Sequence, residues 1–288
     1  DLYSKIFRPL LLDIIRIDGP DCYRCRYNKQ KQTCRAECFK QAQEMFEKYG
    51  NVTCGFLIEP IVQAAAGMKI YPPVYLKKLR KYCNEFNVHL IADEIASGYG
   101  RTGKMFASEH ADITPDIMCL GKGLTGGYLP MALVATNDKI YNAFYADYNE
   151  GKAFMHSHTY CANPLACSAA VEVLNILDDE NILLKASKNA QYFKALVSET
   201  FKNNKYIGDI RNTGLINALE LVKNKKDKKS FDFKKRIGYA VYNEALKLGI
   251  LLRPLGDVIY FNPPLNITKK EMEDVVFKCR QAVNKILN

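Results

Sequence analysis

Two charged side chains follow short apolar runs in the first half of the chain. Asp93 ends the run Val-His-Leu-Ile-Ala-Asp, and Lys122 lies between two glycines just after the run Ile-Met-Cys-Leu. An acid at the end of a buried parallel strand faces the crevice where open α/β sheets bind ligands. Glycines beside a lysine let a ligand approach the backbone closely. Each residue alone also fits a plainer role, a turn cap for Asp93 and a surface lysine for Lys122.

As a pair, Asp93 and Lys122 indicate pyridoxal phosphate chemistry. A lysine amine condenses with the aldehyde of this cofactor. A carboxylate beside the pyridine nitrogen keeps the ring protonated, so that the ring can withdraw electrons. An acid and a lysine at neighbouring strand ends are therefore the two groups that such an enzyme requires.

The segments that must position this pair alternate between short apolar runs and helical periods. Apolar runs occupy residues 56–59, 88–93, 117–120 and 131–135, and a helical stripe lies at 73–86 between the first two. This β-α-β rhythm predicts a mostly parallel sheet covered on both faces. The Ala- and Leu-rich stretch at 165–178 and the stretch at 181–201 predict two long helices.

From about residue 206 the order of elements changes. The patterns predict strands at 207–211, 215–221, 251–254 and 258–261 and helices at 233–248 and 269–287. We therefore expect two domains, a large domain over residues 1–180 and a smaller C-terminal α/β domain over residues 181–288.

Five motifs, in this order, resemble those of the class III aminotransferases. They are Glu59-Pro60-Ile-Val-Gln63, the segment 93–103, Pro115-Asp-Ile117, Gly121-Lys122, and the segment 158–167 with the sequence His-Thr-Tyr-Cys-Ala-Asn-Pro-Leu-Ala-Cys. The resemblance covers essentially the whole chain. It implies an α/β fold of the type I pyridoxal phosphate transferases, and a homodimer with its sites at the subunit interface.

Two further segments, 119–130 and 252–264, are most similar to the branch of this class that makes 7,8-diaminopelargonate in biotin synthesis. The resemblance implies small-molecule substrates, with an amino group moved from S-adenosylmethionine or lysine to 7-keto-8-aminopelargonate. Another ω-aminotransferase of the class, acting on ornithine or 4-aminobutyrate, is the alternative.

The same resemblance implies roles for the residues that match the cofactor site. Lys122 is the catalytic residue, which binds the cofactor covalently and moves a proton. Asp93 pairs with the pyridine nitrogen, and Ile95 packs beneath the ring. His158 and Thr159 reach the phosphate, which in this family commonly belongs to the cofactor of the partner subunit.

The resemblance also implies residues that bind the substrate. Lys122 and Ser157 lie near the substrate, and Arg253 binds its carboxylate, a task suited to the planar guanidinium. The chain has Ser157, His158 and Thr159 where the commoner family sequence is Gly-Pro-Thr. This departure puts the phosphate contact of the residue before Thr159 in doubt.

A cysteine cluster supports a hypothesis from a different class. Cys22, Cys25, Cys34 and Cys38 place four thiols within 17 residues. Such spacing is compatible with a zinc or iron–sulfur site, and equally with reduced thiols in a reducing compartment. Our site prediction includes no metal, but a non-catalytic protein whose cysteines bind metal stays open as an alternative.

Composition limits the other classes. The chain has 288 residues, of which 48% are hydrophobic and 25% charged, and these ordinary globular values exclude a disordered or collagen-like chain. It contains no apolar run near the roughly 18 residues needed to cross a bilayer, so we expect no membrane partner. The net charge of +10 is spread along the chain, and its densest run, at 223–229, is predicted to be a solvated loop. We expect no nucleic-acid partner and a cytoplasmic location.

Class III enzymes are longer than this chain. The resemblance begins well inside their length, and no Gly-Ser turn precedes a helix near residue 1 to bind a phosphate. The expectation is therefore a C-terminal portion of such an enzyme, or a degenerate copy of one. By itself this chain should bind pyridoxal phosphate weakly and transaminate little or not at all.

Overall fold

The computed structural model describes residues 5–287, which form seven α-helices and ten β-strands. The helices are α1 (Lys40–Tyr49), α2 (Pro73–Glu85), α3 (Asp138–Asn142), α4 (Pro164–Asp179), α5 (Ile182–Phe201), α6 (Ile237–Lys247) and α7 (Lys269–Leu287). The strands are β1 (Gly55–Ile58), β2 (Val62–Gln63), β3 (Lys69–Ile70), β4 (His89–Asp93), β5 (Ile117–Leu120), β6 (Leu133–Thr136), β7 (Ile207–Thr213), β8 (Ile216–Leu221), β9 (Arg253–Leu255) and β10 (Val258–Phe261). Within this described part of the chain, no helix is long and apolar enough to span a membrane.

The first sheet has the strand order β1-β4-β5-β6. Strands β1, β4 and β5 are parallel, and β6 joins the edge in the antiparallel direction, so the prediction of a mostly parallel sheet is confirmed. Helix α2 covers one face with Leu76 and Leu79, both completely buried with Leu90 of β4 in one apolar cluster. The carboxyl ends of the three parallel strands consequently lie along one edge.

Within residues 5–287, helices cover one face of this sheet, and cover on both faces stays a prediction. Helix α4 packs on the same face as α2, because Ala170 and Leu177 pack with Leu120, which the register places on the side of Leu90. The side chains of Leu57 and Val134 are each 63% exposed, because no described element packs over them.

The second sheet is antiparallel and has the order β7-β8-β10-β9. Helices α5, α6 and α7 cover one face, and their buried side chains form one core with the sheet: Phe193, Leu219, Val241, Ile259 and Val276. The opposite face packs against the core of the first sheet through Ile216, Ala218 and Val258. The domain boundary that we predict at 180/181 falls in the turn between α4 and α5.

Asn217 is a polar residue in the core of the second sheet. It is completely buried in β8, and neither its side-chain nitrogen nor its oxygen has a hydrogen-bond partner among residues 5–287. Side chains alternate along a strand, so it faces the same apolar core as Leu215 and Leu219. An unpaired buried amide costs about 1–3 kcal/mol.

We therefore predict that Asn217→Val raises the free energy of unfolding by about 1–2 kcal/mol, because it removes the unpaired polar atoms and keeps a β-branched side chain in the strand. Urea denaturation monitored by circular dichroism measures the change. The exposed Asn266 provides a matched control, where the same substitution should have little effect. A lower stability of Asn217→Val than of the wild type would contradict this account.

Candidate active site

Three charged side chains lie at the carboxyl edge of the first sheet. Ile58, the last residue of β1, pairs with Ala92 of β4, so Glu59 is level with Asp93. Asp93 in turn pairs with Cys119 of β5, and Lys122 follows two residues after that strand ends. The parallel register therefore brings Glu59, Asp93 and Lys122 to three adjacent strand ends.

The pKa of the Glu59 carboxyl responds to burial and to both of the other charges. Burial raises the pKa of the Glu59 carboxyl, while a hydrogen bond from the Ala64 N–H to Glu59 Oε1, at 3.2 Å, lowers it. The charge of Asp93 raises this pKa further, and the charge of Lys122 lowers it. Burial and the charge of Asp93 also raise the pKa of the Cys119 thiol. Glu59 is a site residue to which the sequence analysis gives no role.

Ile95 packs beside this edge. Its N–H donates a hydrogen bond to Asp93 Oδ1 at 3.1 Å, which fixes the turn after β4. A Cβ atom placed on Gly121 would lie 3.6 Å from Ile95 Cγ2, so the apolar side chain lies against the backbone that precedes Lys122. The fold thus brings together Asp93, Ile95 and Lys122 as the sequence predicts. Their individual roles stay predictions.

Each of the three loops that leave this edge contains a non-glycine residue with positive φ. The values are +64° at Ile61 after β1, +55° at Tyr99 after β4 and +46° at Lys122 after β5. Such backbone costs on the order of 1–3 kcal/mol per residue and occurs preferentially at functional sites. The residues with strained backbone therefore lie at the same edge of the first sheet as the charged side chains.

This strain gives a prediction for stability at Lys122. Left-handed backbone costs an alanine about 1–2 kcal/mol, and glycine avoids this cost. The larger unfolded-state entropy of glycine disfavours folding by about 0.4–1 kcal/mol, which is the smaller of the two effects. Lys122→Gly should therefore be more stable than Lys122→Ala by roughly 0.5–1 kcal/mol in urea denaturation.

A helical lysine supplies the matched control for that comparison. At Lys139 in α3 the order should reverse, with alanine more stable by about 1 kcal/mol, because glycine is a poor helix former. Greater stability of the alanine variant at position 122 would show that the positive φ carries no strain.

The loop after β4 is fastened by a buried carboxylate. Glu94 is completely buried, and its oxygens accept hydrogen bonds from Ser108 N at 2.7 Å, Ser108 Oγ at 2.8 Å, Ala107 N at 3.0 Å and Ser97 Oγ at 2.5 Å. These four bonds satisfy the buried charge and hold the loop in place. The rigid loop keeps Asp93 and Ile95 in position.

Arg101 connects this loop to the second sheet. Its Nη1 donates a hydrogen bond to the Pro263 carbonyl at 2.5 Å, and its own carbonyl accepts one from the Leu215 N–H at 3.3 Å. Burial lowers the pKa of Arg101 to about 10. The loop that carries the site residues is therefore bonded to the C-terminal half of the chain.

Four predicted site residues lie apart from this edge. Ser157, His158 and Thr159 are exposed in an extended segment, where His158 Nδ1 accepts a hydrogen bond from the Tyr160 N–H at 3.2 Å. Arg253 begins β9 on the second sheet, exposed and opposite Tyr260. Within residues 5–287, none of the four forms a hydrogen bond or ion pair with Glu59, Asp93 or Lys122, so their roles also stay predictions.

The predicted cysteine cluster is assembled. Cys22, Cys25, Cys34 and Cys38 line one narrow pocket. Burial raises the pKa of Cys22 to about 12 and that of Cys38 to about 11, so these thiols stay protonated. Within residues 5–287, no set of three or more His, Cys, Asp or Glu side chains is arranged to hold a metal ion. The described part of the chain gives no support to the metal-binding alternative.

Comparison with known proteins identifies relatives over nearly the full chain. The family model Aminotransferase class-III matches residues 1–283. The adenosylmethionine-8-amino-7-oxononanoate aminotransferase of Nitratidesulfovibrio vulgaris is 37% identical over 282 residues, which cover 98% of this chain and 52% of that protein. The protein of the same name from Geobacter sulfurreducens is 38% identical over 287 residues, covering 99% and 63% respectively.

Solved structures show the same likeness. The crystal structure of the adenosylmethionine-8-amino-7-oxononanoate aminotransferase of Methanocaldococcus jannaschii matches with a TM-score of 0.90 and 36% identity, over 99% of this chain and 63% of that one. A PLP-bound amine transaminase from an uncultivated Pseudomonas species matches with a TM-score of 0.87 and 32% identity, over 93% and 61%. The expected type I α/β fold is thus confirmed. The chain spans 52% to 63% of the length of these four proteins.

Proposed function

The chain belongs to the class III aminotransferases, and from this premise we propose that the protein containing it is a pyridoxal phosphate-dependent aminotransferase. The single observation that carries the proposal is the placement of Asp93 and Lys122 at adjacent ends of parallel strands. These are the acid and the amine that the cofactor requires.

The residues at the strand ends fit the ring and aldehyde end of pyridoxal phosphate. Lys122 is exposed, so its amine is accessible, and Asp93 offers a carboxylate on the neighbouring strand. Ile95 supplies an apolar side chain beside Gly121, against which a flat ring can pack. Lys122 and Asp93 would hold the cofactor, and Ile95 would lie beneath its ring. When bound, the cofactor supplies an electron-withdrawing ring that eases loss of a proton from the carbon bearing the amino group.

The chain's own residues then divide the work. Lys122 Nζ would hold the cofactor at its aldehyde carbon, and as a free amine it would be the general base that takes the proton from the donor carbon. Nζ afterwards returns the proton as a general acid. The Asp93 carboxylate would keep the ring nitrogen protonated, which would help the ring to accept negative charge. The loop fixed by Glu94 keeps that carboxylate in place.

For the substrates, we propose transfer to 7-keto-8-aminopelargonate, also called 8-amino-7-oxononanoate, from S-adenosylmethionine or lysine. The names of relatives that are 37–38% identical support this choice. Arg253 would bind the substrate carboxylate and Ser157 would lie near the substrate. His158 and Thr159 would reach the cofactor phosphate.

A homodimer would account for apolar side chains that the described residues leave exposed, including one in the segment that leads to His158 and Thr159. Tyr128 is 87% exposed and Phe154 is 70% exposed, and such side chains rarely face water as a group in a monomer. Sedimentation of the protein containing this chain tests this part of the proposal, because it predicts a two-fold mass.

A donor and acceptor assay tests the substrate assignment. The protein is incubated with pyridoxal phosphate and 8-amino-7-oxononanoate, with S-adenosylmethionine or lysine as the donor, and the diamino product is measured by mass spectrometry. Product formation with either donor supports the proposal. Turnover of ornithine or 4-aminobutyrate with 2-oxoglutarate, and none with 8-amino-7-oxononanoate, would contradict it.

A further inference from the structure

Tyr99 lies in the loop after β4, and its side chain packs against the backbone that follows Lys122. A Cβ atom built on Gly123 would lie 3.2 Å from both Cβ and Cδ2 of Tyr99 and 3.4 Å from its Cγ. A real Cβ atom rarely has neighbours this close. The ring can therefore approach the backbone here only because residue 123 has no side chain. Tyr99 is 6% exposed and belongs to one apolar cluster with Leu124.

The loop after β4 contacts the chain on both sides of Lys122. Ile95 lies against Gly121, the residue before the lysine, and the tyrosine ring lies against Gly123, the residue after it. The Leu124 N–H donates a hydrogen bond to the Gly121 carbonyl at 3.1 Å, which closes a turn around Lys122. The left-handed backbone of Lys122, with φ of +46°, is thus part of a turn that packs at both ends against one loop.

Tyr99 is itself in a strained conformation. Its φ is +55°, which is unfavourable for a bulky residue and is found where the surrounding structure enforces it. A glycine at this position would avoid the strain but would leave the space beside Gly123 unfilled. Phe106 packs edge-to-face on the tyrosine ring at 6.0 Å and 71°, and the Gly100 N–H bonds to the Met105 carbonyl at 3.3 Å. The ring is therefore supported on the side away from the turn.

We propose, on the basis of the function proposed above, that Tyr99 is a positioning residue for Lys122. Its ring limits the movement of the turn at 121–124 and so keeps in one conformation the backbone from which Lys122 Nζ must reach the cofactor aldehyde. The contacts with Gly123 come from Cβ, Cγ and Cδ2, so the ring performs this role and the hydroxyl does not.

The placement of Nζ depends on the backbone because the lysine lies in a region that its side chain disfavours. With the ring removed, residue 122 can leave the left-handed region, and Nζ then moves with the backbone. A displacement of about 1 Å at a reacting group can cost on the order of 10²-fold in rate. Loss of the ring should therefore slow every step that uses the Lys122 amine, beginning with its attachment to the cofactor.

Timed labelling of Lys122 by pyridoxal phosphate tests this inference. The protein containing this chain is exposed to a limiting concentration of the cofactor and reduced with borohydride at intervals, and the pyridoxyl content of the Lys122 peptide is measured by mass spectrometry. We expect Tyr99→Ala to lower the initial labelling rate at Lys122 by about tenfold or more. Tyr99→Phe, which keeps the ring, should label at close to the wild-type rate. The exposed Lys139 of α3, followed in the same digests, is the internal reference and should be labelled equally in all variants.

Leu177→Ala is the matched control for a general loss of packing. Leu177 is also 6% exposed and belongs to the same apolar cluster, but it lies in α4. The substitution should lower the urea midpoint, as Tyr99→Ala does, because both leave a cavity, but it should not change the labelling rate of Lys122. Gly123→Ala is the second test variant and decides the question if Tyr99→Ala does not fold. Its Cβ atom would displace the ring, so it should also slow the labelling.

The outcomes separate a positioning role from a merely structural one. Wild-type labelling of Lys122 in a folded Tyr99→Ala or in Gly123→Ala overturns the inference, and so does slow labelling in Leu177→Ala or in Tyr99→Phe. Absence of labelling at Lys122 in the wild type is a different result, which contradicts the proposed function and the inference with it.

Discussion

Asp93→Asn is expected to lower the turnover number of the proposed transamination by about 10²–10³-fold. Asparagine carries no negative charge, so it cannot hold the proton on the ring nitrogen where the developing charge needs it, and loss of a placed electrostatic group costs this much in comparable sites. Steady-state kinetics with saturating pyridoxal phosphate measure the loss in the protein containing this chain.

The same substitution should leave the fold intact. The amide oxygen of asparagine can still accept the Ile95 N–H bond that Asp93 Oδ1 accepts at 3.1 Å. The melting temperature of Asp93→Asn should therefore stay close to that of the wild type. Asp112→Asn serves as the control, because Asp112 is exposed and its φ of +51° suits asparagine. A loss of activity below threefold in Asp93→Asn would contradict the assigned role.

Arg211→Met is expected to lower the free energy of unfolding by about 3–5 kcal/mol. Arg211 is only 9% exposed and joins three elements: its Nη1 lies 2.5 Å from Glu220 Oε2 and 3.2 Å from Asp209 Oδ2, and its Nη2 donates to the Gly67 carbonyl at 2.8 Å. Removing one partner of a buried ion pair leaves an uncompensated charge, which causes a loss of this size. Arg24 also pairs with Glu220, so we expect the lower end of the range.

An exposed ion pair provides the control for Arg211. Arg26 and Asp18 pair at 2.5 Å on the surface, with side chains 73% and 61% exposed, so Arg26→Met should cost no more than about 1 kcal/mol. Urea denaturation of both variants gives the comparison. Equal losses of unfolding free energy at the two positions would show that burying Arg211 and its partners does not strengthen their interaction.

The stability defect of Arg211→Met should also depend on pH. Burial raises the pKa of Asp209, and Arg211 opposes that rise, so the substitution raises this folded-state pKa further. A carboxyl group whose pKa is raised in the folded state stabilises that state at low pH. This stabilisation is lost as pH rises through the folded-state pKa. The difference in unfolding free energy between Arg211→Met and the wild type should therefore shrink as pH falls below about 4, near the ordinary carboxyl pKa.

The sequence identifies the strands and the central pair because both have strong local signals. Strands β4 and β5 are short apolar runs that end in polar or glycine-rich turns, and Asp93 and Lys122 occupy those ends. Helix α1 has no such signal. Within its polar sequence only Ala42 and Phe46, four residues apart, are buried, and the Phe46 ring stacks on Phe56 at 5.7 Å.

The place of Glu59 at this edge could not be predicted from local sequence. Its neighbours Asp93 and Lys122 are 34 and 63 residues away, and only the register between β1 and β4 makes it level with Asp93. The exposed face of the first sheet lies beyond local sequence for a related reason. The apolar runs identify the strands, but they do not indicate which elements pack over Leu57 and Val134.

Covalent labelling of Lys122 tests the central claim most directly. The protein containing this chain is incubated with pyridoxal phosphate, reduced with borohydride, digested and mapped by mass spectrometry, with Lys122→Ala treated in parallel. We predict one pyridoxyl group on the peptide that contains Lys122 and none on the corresponding peptide of Lys122→Ala. Specific labelling of a different lysine, or no labelled peptide at a saturating cofactor concentration, would contradict the assignment of Lys122 and the function proposed from it.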